Sequence, residues 1–94
     1  MIKREKRFSL HWGAGVVAEE AQVEGRYHVP TIQLLKYTEG EAVGEVSVRF
    51  CHYSHSGGFS RSPLVMSPEE MDEMREALCK TPELRAILQR MVEP

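Results

Sequence analysis

Ninety-four residues make a single domain, and a composition of 41% apolar and 28% charged residues is that of a folded soluble chain rather than a disordered one. A formal net charge of −2 argues against a strong general polyanion binder, no apolar run is long enough to span a membrane, and two cysteines, Cys51 and Cys79, are too few for a disulfide scaffold. The expected setting is cytoplasmic with both thiols free, and the basic Met1–Arg4 leads into no apolar stretch such as a secretory signal needs.

A domain this small buries only roughly 60 to 65% of its unfolded surface, so a homodimer is the expected state. Charge is unevenly spread. Residues 1–66 carry 8 Lys/Arg against 7 Asp/Glu, whereas residues 67–94 carry 4 against 7, so the acidic excess sits in the last third.

In chain order, residues 1–7 form a charged arm, which reads first as a solvated chain end and otherwise as a phosphate-contacting arm carrying Lys3 and Arg4. Phe8, Leu10 and Trp12 alternate with period two and share one strand face, before Gly13-Ala14-Gly15 breaks or bulges the strand. Residues 16–24 are compatible with helix by propensity and with strand by alternation; a strand is preferred because a sheet of several strands is needed to bury the faces that follow. Pro30 then opens a strand over 31–37, with Ile32, Leu34 and Lys36 on one side and Gln33, Leu35 and Tyr37 on the other. After the turn residues 38–41 comes a strand over 45–53 whose Val46, Val48 and Phe50 are assigned to the covered face, and Ser47, Arg49, Cys51 and Tyr53 to the open one. Gly57-Gly58 marks a hairpin. A return strand follows over 59–66, interrupted at Pro63.

Ser67-Pro68-Glu69-Glu70 is a helix start: Ser67 caps, Pro68 fits the first turn, and Glu70 completes a capping box. Met71, Met74 and Leu78 continue at helical spacing. Thr81-Pro82-Glu83 repeats the start signal for a second helix to about Val92, whose Leu84, Ile87, Leu88 and Met91 make a stripe broad enough to reach a second subunit. Strands first and helices last predict an α+β domain. Its antiparallel sheet has about four strands over residues 8–66, and two C-terminal helices in 67–94 pack on one face.

Three chemistries are weighed on this frame. On the open face, Arg49 and Arg61 beside Tyr37, Tyr53 and Phe59 suit single-stranded DNA or RNA, because cations meet phosphates while bases stack on rings. An ordinary half-exposed sheet face with cross-strand pairs explains the same residues. Cys51 and His55 could begin a zinc site, with His28 or Cys79 as further ligands, but Cys51 and His52 are neighbours in a strand and point to opposite faces, so neither metal nor cofactor is assigned. No nucleophile turn or paired carboxylates appear, the glycines match no phosphate loop, and no enzyme is expected.

Val46-Ser47-Val48-Arg49-Phe50, Tyr53, Gly57-Gly58 and the Ser67–Glu70 helix start together resemble the positive cofactor four type of transcriptional coactivator domain and the related Whirly and Pur-type domains. The resemblance covers roughly residues 44–79. It departs from the family pattern at Arg61-Ser62-Pro63-Leu64 and in the added 81–92 helix. It implies a dimeric, single-stranded nucleic-acid-binding domain with Arg49 and Tyr53 on the binding sheet and Arg61 on its final strand. Two readings follow: a nucleic-acid-binding module using Arg49, Tyr53, Arg61, Tyr37, Phe59, Lys3 and Arg4, or a homodimeric protein-interaction domain without nucleic acid.

Overall fold

The structure, a computed structural model, describes residues 5–60 and 63–94. Its described strands are β1 (Arg7–Leu10), β2 (Gly13–Gln22), β3 (Val29–Glu39), β4 (Val46–Tyr53) and β5 (Leu64–Met66), followed by α1 (Pro68–Leu78) and α2 (Pro82–Val92). The α+β class and the two closing helices agree with the sequence reading; the sheet has five strands among the described residues rather than about four. All neighbours are antiparallel and consecutive, in the order β1-β2-β3-β4-β5, so every connection is a local turn.

Several boundaries move for physical reasons. Residues 16–24 fall largely in β2, and the glycines before them lie inside the strand, with register shifts at Ala14/Gly15 and Val17/Glu19. Extra residues of this kind bend a strand and increase its twist, and here they curl the sheet. Lys6 and Arg7, assigned to the arm, already belong to the sheet: Arg7 starts β1 and the Lys6 carbonyl accepts the Val17 N–H at 2.8 Å. Trp12 stands in the β1–β2 turn rather than on the strand with Phe8 and Leu10. The return strand is short. Phe59 meets Tyr53 as an isolated bridge, and β5 begins at Leu64, after Pro63, which has no N–H to give a ladder.

Hairpin and helix signals act as read. The Ser54 carbonyl accepts the Gly57 N–H at 2.9 Å, and Gly57 has φ +96°, a conformation in which a side chain would be strained. At α1, the Ser67 hydroxyl accepts the Glu70 N–H at 3.1 Å while the Glu70 carboxylate accepts the Ser67 N–H at 2.9 Å, a complete capping box. Thr81 does not repeat this; its hydroxyl turns back to the Leu78 carbonyl at 3.1 Å, leaving α2 without a side-chain cap.

The main core cluster lies on the inside of the curl. Phe8, Leu35, Tyr37 and Ala42 are buried together, with Leu10, Val17 and Val65 packed against them. The Phe8 and Tyr37 rings meet edge to face at 5.1 Å. Gly15 pairs with both Phe8 and Tyr37, and a Cβ there would overlap the Lys36 carbonyl, so only glycine lets β2 and β3 close at this point.

This core inverts the expected assignment of faces. Ser47 and Arg49, read as open, are buried, and Arg49 is only 7% exposed. Val46, Val48 and Phe50, read as covered, are only half-buried. Alternation was read correctly, but the curl of the sheet, rather than the helices, encloses one face. The helices pack on the other face so lightly that neither has a buried residue.

Candidate functional site

The inner face is a continuous polar network built by register. Antiparallel pairing sets Glu20 opposite Gln33 and Gln33 opposite Arg49, so three long polar side chains form one row across β2, β3 and β4. Gln33, 1% exposed, is the junction. Its Oε1 accepts the Arg49 Nε–H at 2.8 Å and faces the Cys51 thiol at 3.6 Å, while its Nε2 donates to Glu20 Oε2 at 2.6 Å and to the Tyr53 hydroxyl at 3.0 Å. The two donors and two acceptor sites of one amide are thereby all used. Lys6 Nζ closes the row on Glu20 at 2.8 Å.

A second chain runs alongside. The Trp12 indole N–H donates to the Tyr37 hydroxyl at 2.8 Å, which donates to the Ser47 hydroxyl at 3.0 Å. Beyond the first row the polar groups give way to rings. The Arg49 guanidinium sits over Phe59 at 4.7 Å, Phe59 packs on Tyr53 at 5.3 Å, and Lys6 lies over Tyr53 at 5.2 Å.

These contacts set the local ionisation. The Glu20 hydrogen bond raises the Lys6 pKa above its usual value. Burial alone would raise Glu20, but the hydrogen bonds from Lys6 and Gln33 outweigh it and bring the carboxyl below the ordinary range. Desolvation pushes the Cys51 thiol up, although nearby Arg49 acts in the opposite direction. His55 is raised by its bond to Glu24 at 2.9 Å.

The expected binding residues are therefore partly assembled and partly enclosed. Arg49, Tyr53 and Phe59 do share one cluster, with Phe59 43% exposed at its rim. Tyr37 lies on the same face but is buried and committed to Trp12 and Ser47. Lys3, Arg4 and Arg61 lie outside the described residues. Cys51 and His55 do not converge: the thiol faces Gln33, whereas His55 bonds Glu24 and the Arg26 carbonyl. His52 packs instead on His28, rings 4.8 Å apart. Among the described residues no group of three or more His, Cys, Asp or Glu is arranged to hold a metal ion.

Lys6, Glu20 and Gln33 were not singled out by the sequence reading. Their alignment depends on the shift between Val17 and Glu19, which moves Glu20 into line with Gln33. Polar Gln33 between Ile32 and Leu34 was the one signal that pointed to them.

The outer face has the opposite character. Ile32, Leu34, Val48 and Phe50 are half-buried there, and between Ile32, Phe50 and the α2 residues Leu88 and Met91 runs an apolar trough of about 660 Å³. On α2 the side chains of Leu84, Ile87, Met91 and Val92 remain exposed, Ile87 at 61%. The accessible surface of the chain is 7620 Å², whereas a compact 10.7 kDa monomer exposes about 5,500 Å². The radius of gyration agrees: 14.9 Å against about 12 Å for a compact domain of this length.

Comparison with protein-family models, with characterised proteins and with solved structures gives no match. No described helix is long and apolar enough to cross a membrane.

Proposed function

We propose that this protein is an interaction domain that works by protein–protein contact through its outer face, the apolar sheet surface together with α2. The observation that carries this reading is α2 itself: eleven residues, five of them large exposed apolar side chains, and none buried. An isolated helix of this length is marginal in water and takes its stability from burying an apolar face. The small domain leaves that face without cover, which is the mark of an interaction surface. Two free thiols, one of them exposed Cys79, fit a reducing cytoplasmic setting.

Dye binding tests the reading. Chain diluted to nanomolar concentration should bind an apolar-surface dye, and Ile87→Glu with Met91→Glu should abolish the signal while leaving circular dichroism unchanged. A monomer that binds no dye at any concentration has closed α2 onto the sheet, and the reading fails.

One observation favours single-stranded nucleic acid as a second reading. Lys6, Tyr53, Phe59 and Arg49 form a row of two packed rings with a cation at each end, and a base could stack on the exposed side of Phe59. Against it, Lys6 is already paired with Glu20 and Arg7 with Glu5 and Glu39. Affinity for an oligonucleotide that falls with salt and is lost in Phe59→Ala supports this reading; no binding at low salt rejects it.

A further inference from the structure

We infer that the partner of the outer face is a second copy of this chain, bound across a two-fold axis that passes close to Ile87. This rests on the interaction reading above and names its partner.

The first argument is area. The chain exposes about 2,000 Å² more than a compact monomer of its mass, starting from the observed 7620 Å². Obligate homodimers bury about 2,000 to 5,000 Å² in total, or about 1,000 to 2,500 Å² per subunit. Transient contacts bury well under 1,000 Å² per side and would leave most of the excess open.

The second argument is self-complementarity. A two-fold interface uses the same patch on both subunits, so the patch must carry both a projection and a recess. This one does: exposed Leu84, one helical turn before the trough residue Leu88, makes the projection, and the trough lined by Ile32, Phe50, Leu88 and Met91 makes the recess. The ridge of one copy can enter the trough of the other and receive the reciprocal ridge in return.

The third argument is charge. α1 carries five acidic residues against Arg75, a net of −4, whereas α2 carries Glu83 against Arg85 and Arg90, a net of +1. Two α1 helices would repel each other. Two α2 helices approach without that penalty, so the symmetric contact falls on α2. Ile87 is the middle residue of α2, which spans Pro82–Val92, and is the residue a two-fold centred on the helix brings against its own copy.

Sedimentation equilibrium of the full chain over about 1 to 100 µM tests the inference, this being the range in which weak and strong dimers separate. The expected result is twice the 10.7 kDa chain mass, with Ile87→Glu raising the dissociation constant by about 30-fold or more, the effect of losing one hot-spot residue. Ile87→Cys in a Cys79→Ser background should form a disulfide-linked dimer on mild oxidation, because a residue on the axis meets its own copy, while Glu73→Cys in the same background should not. A wild-type monomer at the highest concentration overturns the inference, as does a dimer that Ile87→Glu leaves intact or cross-linking that occurs at position 73 but not 87. A monomer that still binds the dye sinks the second copy and leaves the interaction reading standing; a monomer without dye binding sinks both.

Discussion

Gln33→Leu is the sharpest test of the inner face. Leucine nearly matches glutamine in volume, so the change leaves little cavity and isolates the polar loss. It removes the 2.8 Å bond from Arg49, the 2.6 Å bond to Glu20 and the 3.0 Å bond to Tyr53. Hydrogen bonds to charged partners contribute about 1.5 to 3 kcal/mol each and a neutral one about 1 kcal/mol. The Glu20 bond counts at the low end, since that carboxylate keeps Lys6. Arg49 counts at the high end: it is buried, and among the described residues it forms no ion pair.

The expected loss is about 5 to 6 kcal/mol, out of a total stability of about 5 to 14 kcal/mol for a domain of this length. Urea denaturation followed by circular dichroism reads it as a large drop in midpoint with an unchanged slope. Arg49→Met supplies the control. It removes the charge that Gln33 leaves stranded, so the double variant should be more stable than the sum of the two single losses by at least about 1 kcal/mol. A Gln33→Leu protein within about 1 kcal/mol of wild type, or strictly additive single losses, would show that the polar row contributes nothing as a unit.

Three further outcomes follow from other parts of the fold. Gly15→Ala drives a methyl into the Lys36 backbone, which cannot step aside as a side chain could, and should cost about 3 kcal/mol by the same denaturation assay. Ser67→Ala breaks the capping box at α1 and should cost about 1 kcal/mol, most of which Ser67→Asp restores. The folded pKa of Glu20 is lowered, so its contribution is present above the ordinary carboxylate value of 4.5 and is lost as pH falls through the folded value. That of Lys6 is raised, so its share holds below 10.5 and is lost as pH rises through the folded value. With both side chains partly solvated the pair contributes about 0.5 to 1 kcal/mol. Comparing wild type with Glu20→Gln across pH should therefore show a difference that is full near neutrality, vanishes in strong acid and shrinks in about 1 M salt.

The elements were legible because each is fixed by short-range chemistry. Ser67, Pro68 and Glu70 specify a helix start wherever they stand, and Gly57-Gly58 specifies a turn. The alternation of Val46 to Tyr53 was equally plain, and it placed Ser47 and Arg49 correctly on one face and Val48 and Phe50 on the other. Which face is enclosed was not written in that strand. It depends on the curl, and the curl depends on bulges in β2 that no single residue announces. The apolar face was naturally read as the covered one. Here it is half open, because the helices meant to cover it barely do. For the same reason Arg49, Tyr53 and Phe59 were expected together and are found together, yet as a sealed cation over a ring rather than as an open platform.

The division of the two faces has a consequence for folding. A strand that slips by one residue turns its whole inner set outward. Slipping β3 against β4 would take Gln33 out of line with Arg49 and leave a buried guanidinium without its acceptor, at a cost of several kcal/mol. A slip of two residues keeps every side chain on its own face, and then the outer aliphatics meet other aliphatics at little cost while Gln33 still loses Arg49. The polar row therefore selects the register, and the apolar face, the proposed interaction surface, does not. Substitutions at Gln33 or Arg49 should then alter folding cooperativity while the proposed dimer keeps its affinity per folded chain, whereas substitutions at Ile87 should weaken that proposed assembly while β3 and β4 keep their register. An inner-face variant that folds normally but fails to self-associate would break this separation, since the two faces would then be coupled through the sheet.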